Sequence, residues 1–271
     1  MDLFKQHLAP IADEAWAEIN ETAIDVIETT LSARKALHVV GPLGLDKQSV
    51  ANGTLTLLED QASQHDGQIF AGLYGVTPLL ETRLSFELSR WELDNALRGK
   101  QDLDLDVLED AAEQLARFEE NCIYNGHASA GIPGLVETAP HKLRISDNAN
   151  ETLQAIASGL LKLQDAYTQK PYVLVVGDDV FTMLHRVYDG KLLIDAVSSL
   201  IGGEVIHSKV LKGALLLPYN HEDLEITIGQ DYAIGYESHD AKTVRLFITN
   251  AFTFRILDPD LIVYFKYYQN A

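Results

Sequence analysis

From Asp13 to Leu37 apolar residues return every three or four positions, at Trp16, Ile19, Ala23, Val26, Ile27 and Leu31. That spacing predicts one long amphipathic helix, with Arg34 and Lys35 near the negative end of its dipole and Gly41-Pro42-Leu43-Gly44 as the closing turn. Between Asp46 and Pro78 the chain is polar and strand-like (TLTLLED, then QASQHDGQ) and offers few anchors for a core. A long two-stranded arm fits that stretch better than a packed domain. In RLSFELSRWELDNALRGK, residues 83–100, two periods meet. Leu84, Phe86 and Leu88 alternate with Ser85, Glu87 and Ser89 as in a half-buried strand. From Trp91 onward the spacing becomes helical, and Gly99 closes the segment.

Helix signals return at Asp106, which with Glu109 reads as a capping-box start. Leu108, Ala112, Leu115, Phe118 and Cys122 line one face, and Gly126 lies past the end. GHASAGIPGL reads as loop, Glu151–Tyr167 as helix, Tyr172–Val176 as buried strand and Val180–Tyr188 as helix. This α/β alternation predicts a separate compact unit. After Pro218 the pattern turns to β: Leu224, Ile226 and Ile228 alternate, then Val244, Leu246 and Ile248, then Phe252, Phe254 and Ile256. Turns at HDAK and TNA predict antiparallel pairing, and LIVYFKYY reads as a last strand.

Composition narrows the class. With 271 residues, 46% hydrophobic and 23% charged, the chain can fill one large domain or two modest ones. The single cysteine, Cys122, cannot form an internal disulfide and points to a reducing compartment. The start MDLFKQHLAP lacks a secretory pattern, and no apolar run approaches the roughly 20 residues of a membrane helix. The expectation is a soluble, cytoplasmic protein. Its net charge of −19 suits solubility and disfavours nucleic acid, whose phosphates need Lys and Arg.

Catalytic and metal signals are weak. Asp102, Asp104, Asp106 and Glu113 match four positions of a calcium loop, but Val107 stands where the sharp turn needs glycine. A solvated helix N-terminus explains the same acids. Gly126-His127-Ala128-Ser129-Ala130-Gly131 has one residue too many before the serine for a nucleophile elbow and follows a helix rather than a strand. The nine histidines show no compact ligand spacing; His185 reads as structural, and Cys122 as an inert thiol on an apolar face. Gly177 lacks the companion glycines of a dinucleotide turn. Trp91 reads first as a core anchor at the strand–helix junction, and second as a stacking platform for a planar ligand with Arg83 as its polar partner. No catalytic constellation stands out, so a non-enzyme is expected.

The segments ARKALHVVGPLG, RLSFELSRWELDNALRGK, FEENCIYNGHASAGIPGL, GQDYAIGYESHD and VRLFITNAFTFRIL resemble the encapsulin shell proteins, the linocin-like family of bacterial nanocompartments, in order and approximate spacing. The resemblance implies an α+β chain with the phage major capsid (Hong Kong 97) fold. It implies a discontinuous peripheral domain (1–45, 88–135 and 222–271), an E-loop (46–87) and an axial domain (136–221). Copies of such a subunit self-assemble in the cytoplasm into a closed icosahedral shell. The shell encloses cargo such as a dye-decolorizing peroxidase or a ferritin-like protein, held through a C-terminal peptide.

Carried over residue by residue, the peptide-docking groove would use Ile27, Leu31, Arg34, His38, Tyr232 and Ile234. His38 departs from the family, where an acid is more usual. Trp91 and Arg83 stand where some members bind a flavin (FMN), although a shell requires no cofactor. Tyr188, Asp189, Gly190 and Lys191 are the candidates for the five-fold pore turn. Two other readings compete: a phage major capsid protein, which the acidic charge and the lack of a long pre-domain disfavour, and a flavin-dependent oxidoreductase, for which no proton-transfer group accompanies Trp91 and Arg83.

Overall fold

The computed structural model describes residues 3–58 and 71–268; the stretch 59–70 of the arm lies outside the described residues. The N-terminal helix is α1, Asp13–Thr30, and it buries Ala15, Ile19, Ala23 and Ile27. It does not run to Leu37. Leu31 is extended (φ −72°, ψ 111°), and a separate single turn, α2 (Ala33–Ala36), carries Arg34 and Lys35. The break contains neither proline nor glycine. Its cause is a diversion of donors: the Ser32 and Ala33 N–H groups bond a glutamate side chain, Glu120, at 3.0 and 2.7 Å rather than continuing the helical ladder.

Strand β1 (His38–Val40) follows, then β2 (Ser49–Leu57) and β3 (Gly72–Pro78), which pair only with each other, antiparallel, as the expected arm. Leu55, Leu57, Leu73, Tyr74 and Val76 on it are exposed. The next strand, β4 (Leu80–Ser89), is hydrogen-bonded along its length to a strand near the C-terminus, so the two-stranded unit is shorter than the 46–87 span. It runs directly into α3, Arg90–Leu97, a helix of only eight residues. The long helix is the following one, α4 (Asp106–Asn125). It starts where expected, but Leu105 is its N-cap and no side chain caps it, so Asp106 acts through the helix dipole rather than a capping box. Phe118 is 38% exposed, while the acidic pair Glu119 and Glu120 is buried. Gly126 ends α4 at φ +85°, where a Cβ would lie 2.8 Å from the Gly134 nitrogen.

A short turn, α5 (Leu135–Thr138), leads into the α/β unit: β5 (His141–Ser146), α6 (Ala149–Asp165), β6 (Tyr172–Val176), α7 (Asp178–Leu184), β7 (Val187–Tyr188), β8 (Lys191–Leu192), α8 (Leu193–Ile201), β9 (Val205–His207) and β10 (Ala214–Pro218). All five residues of β6 are buried, as the unbroken apolar run requires. Helix α7 stops at Leu184, short of the expected Tyr188, which lies in a small hairpin.

The chain closes with β11 (Leu224–His239), β12 (Thr243–Ile256) and β13 (Val263–Tyr268). The HDAK turn joins β11 to β12, but TNA is no turn: β12 passes straight through Thr249, Asn250 and Ala251, all buried. One sheet has the order β1-β11-β12-β4, the other β5-β13-β10-β6-β9, so β13 of the 222–271 segment lies in the sheet of the α/β unit. One end of the β11–β12 ladder (Ile226, Ile228, Phe252, Phe254) joins a core cluster with Val173 and Leu215 of the second sheet. The other end (Ile234, Val244, Leu246, Ile248) joins a cluster with Ile19 and Ile27 of α1 and Leu108 of α4.

Candidate functional site

Where α1 ends, its exposed side and a bulged stretch of β11 enclose a groove of about 640 Å³. Ile24, Ile27 and Leu31 give it an apolar wall, and Glu28, Thr29, Arg34, Lys35, Asp231 and Tyr232 complete the lining. Helical spacing sets the first three: Ile24 and Ile27 are one turn apart, and the break at Leu31 swings α2 so that Arg34 faces the same space. Irregular register between Gln230 and Ala233 turns Asp231 and Tyr232 toward α1. Beyond them the edge of β11 is occupied by the chain's own N-terminal segment, with Tyr236 N–H donating to the Phe4 carbonyl and Gln6 Nε2 to the Ile234 carbonyl, both at 2.7 Å.

Arg34 is held on three sides. Its Nε and Nη2 donate to Glu119 Oε1 and Oε2 at 2.6 and 2.8 Å, and Nη1 donates to Asp231 Oδ1 at 2.8 Å. Glu119 also accepts from the Tyr232 hydroxyl at 2.9 Å and from the Asn250 amide at 2.8 Å, so one buried carboxylate aligns α2, β11 and β12. The guanidinium lies 5.1 Å from the Tyr232 ring centroid. Burial works against the Arg34 charge, but Glu119 and then Asp231 outweigh it and hold the guanidinium above its ordinary pKa. Burial raises the Tyr232 phenol well above its ordinary value, with the Glu119 charge next. At neutral pH the groove therefore presents a fixed cation and a neutral phenol.

Ile27, Leu31, Arg34 and Tyr232 of the expected set meet in this groove. Two others do not line it. Ile234 is 4% exposed and packs beneath it in the core with Ile27 and Leu31. His38 lies on β1 with Nδ1 3.0 Å from Asn220 Oδ1. The sequence reading does not single out Ile24, Glu28, Thr29, Lys35 and Asp231 for the groove, nor Glu119 behind them. The signal for Glu119 is its spacing, four residues after Leu115 and three before Cys122 on the apolar face of the helix.

Within one subunit Trp91 and Arg83 do not meet. Trp91 is 71% exposed, so it is no core anchor, and its ring lies 5.7 Å from the Arg98 guanidinium. Its neighbours on the inner side, Leu88 and Leu93, take the buried places instead. Arg83 stacks on Phe247 at 4.2 Å and reaches Glu81 at 3.5 Å. From Arg83 to Ser89 the strand covers roughly 20 Å, so the two side chains serve different ends of β4. The pore candidates do sit together. Asp189 and Gly190 take φ of 50° and 77°, the two left-handed positions of a tight hairpin turn between Tyr188 and Lys191. Tyr188 bonds Asn150 of α6 through its hydroxyl.

The chemistry elsewhere is quiet. Among the described residues no group of three or more His, Cys, Asp or Glu is placed to hold a metal ion. Glu113 of the calcium-like pattern pairs with Arg117 and Lys209. GHASAGIPGL holds a short 3₁₀ turn at Ala128–Ala130 and no strand leading into a helix. Cys122 is buried, and burial pushes its thiol up to about 11. Among the described residues no helix is long and apolar enough to cross a membrane.

Comparison with known proteins bears on the family and the fold. Residues 1–253 match the family Linocin_M18, described as "Encapsulating protein for peroxidase". The type 1 encapsulin shell protein of Rhodospirillum rubrum is 34% identical over 268 residues, covering 97% of this chain and 96% of the relative. That of Brevibacterium linens is 32% identical, covering 96% and 97%. Among solved structures, the virus-like particle from Pyrococcus furiosus superposes with a TM-score of 0.70 at 18% identity, over 93% of this chain and 99% of that one. The capsid of Myoviridae phage XM1 gives 0.57 at 13%, over 85% and 90%. The fold is thus that of the Hong Kong 97 capsid class, and the full-length match to shell proteins means that the chain belongs to the encapsulin shell protein family.

Proposed function

We propose that the chain is the subunit of a closed, self-assembling shell that takes in partner enzymes by gripping a C-terminal peptide in the groove between α1 and β11. The observation that carries this reading is the groove itself. It combines an apolar wall (Ile24, Ile27, Leu31) with one cation, Arg34, held in place by Glu119 and Asp231. An extended peptide would bury alternate apolar side chains against α1, and its backbone carbonyls would meet the guanidinium N–H groups that Glu119 and Asp231 leave free. The description of the matched family supports a peroxidase as the enclosed class. The exposed apolar residues on β2 and β3 support pairing of the arm with a neighbouring subunit, which would complete their burial. The Tyr188–Lys191 hairpin is assigned to the five-fold opening of the shell.

Electron microscopy of the purified chain tests assembly: closed particles are expected, and small oligomers alone would overturn it. Docking is tested by co-expressing the chain with a fluorescent protein that carries the C-terminal tail of a peroxidase of the encapsulated class. The wild type should co-purify with the reporter as loaded particles. Ile24→Glu should give particles of the same size that are empty. Equal loading in both would place the peptide elsewhere.

A further inference from the structure

Directly behind the groove is a second acidic site that the docking reading does not use. Glu120 follows Glu119 on α4, and the turn of the helix points it away from Arg34 and toward the break between α1 and α2. Its side chain is 1% exposed, and among the described residues no cation pairs with it. The carboxyl accepts from the Ser32 and Ala33 N–H groups at 3.0 and 2.7 Å, bonds the Ser32 hydroxyl, and lies 3.4 Å from Ser208 Oγ. Ser32 Oγ is 2.7 Å from the Tyr124 hydroxyl, and Tyr124 in turn interacts with Ser208. Glu120, Ser32, Tyr124 and Ser208 thus form a closed ring of buried hydroxyl and carboxyl groups. Ser32 comes from the α1–α2 break, Glu120 and Tyr124 from α4, and Ser208 from the loop after β9.

The ring has a property that an ordinary buried carboxylate lacks. With Glu120 charged, the Ser32 hydroxyl donates to it and accepts from Tyr124. With Glu120 protonated, the carboxyl O–H donates to Ser32 Oγ, Ser32 donates to Tyr124, and Tyr124 turns toward Ser208. The Ser32 and Tyr124 hydroxyls reverse while Ser208 goes on donating to Glu120, so the site can bind or release one proton without leaving an orphaned hydroxyl.

The surrounding charges favour the neutral form. On α4, Glu119 is a fixed carboxylate committed to Arg34, Cys122 is a neutral thiol and Tyr124 a neutral phenol. On α2, Arg34 is turned to Glu119 and Asp231, and Lys35 is exposed. On the third element, His207 pairs with Asp178 and Lys209 with Glu113. None of these cations has Glu120 as its partner. Burial, the largest influence, raises Glu120 to about 7 and outweighs the Ser32 and Ala33 hydrogen bonds, with the Glu119 charge adding to the rise.

We propose that this ring is a proton-operated junction: with the proton bound, the contact between the N-terminal helices, α4 and the α/β unit holds no uncompensated charge, and releasing the proton leaves a buried carboxylate without a cation, which weakens that contact. The proposal is independent of what the groove binds. An acid raised on folding stabilises the fold fully below its ordinary range and loses that contribution as pH rises toward its folded value. The assembled wild type should therefore lose thermal stability between pH 5 and pH 8.

The test is the unfolding midpoint of assembled protein across that range for the wild type and for Glu120→Gln, whose amide reproduces the neutral acid. The wild-type midpoint should fall by about 5–10 °C more than that of the variant. Parallel profiles would overturn the proposal. If the variant does not assemble, infrared difference spectra of the wild type decide. A carboxylic-acid C=O band that disappears between pH 6 and 8, well above the ordinary carboxylate range, supports the junction; no such band refutes it.

Discussion

Asn250 and Glu119 stand 131 residues apart in the sequence, yet the Asn250 amide donates to Glu119 Oε2 at 2.8 Å. That bond joins the middle of β12 to the C-terminal half of α4, and its acceptor is the carboxylate that positions Arg34. Glu119→Gln should leave the guanidinium beneath the groove with Asp231 as its only acid. Breaking a buried pair from one side costs about 3 kcal/mol. Thermal or denaturant unfolding should show that loss, and reporter loading should drop along with it. A variant as stable as the wild type would mean that Asp231 alone suffices.

Ile24 and Ile27 differ sharply as probes of the groove. Ile24 is 52% exposed, so Ile24→Ala should change stability by no more than about 0.5 kcal/mol. Ile27 is 8% exposed and belongs to the core, so Ile27→Ala should cost about 2–4 kcal/mol. Unfolding midpoints in denaturant separate the two. Comparable losses would show that α1 is seated differently.

Gly235 lies opposite Phe247, and a Cβ there would run into the ring. The ring lies across the glycine with Arg83 stacked on it. Gly235→Val should displace Phe247, free Arg83 and cost about 1–3 kcal/mol. Unchanged stability would show that the ring can move at no cost.

Cys122 should resist thiol reagents while the chain is folded and react promptly once it is unfolded, because burial both shields the sulfur and suppresses the thiolate. The comparison is colorimetric thiol titration at pH 8 with and without denaturant. Equal rates would argue against the burial of this face of α4.

Elements with a regular apolar period are legible in the sequence. Most of α1, the whole of α4 and β6 and the first residues of β11 follow from spacing alone, and the arm follows from its lack of anchors. What misleads is local chemistry overridden from afar. The break at Leu31 carries no breaker residue, since its cause is a carboxylate 88 positions away from Ser32 in sequence. Thr249-Asn250-Ala251 has turn composition but lies in a strand, because Asn250 is satisfied by Glu119 and Thr82 and Thr249 by the Thr82 carbonyl. Trp91 reads as an anchor by size, yet alternation along β4 continued into α3 gives the buried places to Leu88 and Leu93. The groove is partly legible because Arg34 and Tyr232 fall in segments shared with encapsulins, and Ile27 and Leu31 lie on the apolar helix face just before the first of them. Its supports Glu119 and Asn250 emerge only when distant strands and helices are brought together.

The β11–β12 ladder has one end in the core shared with the second sheet and the other in the core beneath α1 and α4. Each core loses one of its walls if the ladder parts. Heating the protomer should accordingly draw both through a single transition, with α1 and the α/β unit losing structure at the same temperature.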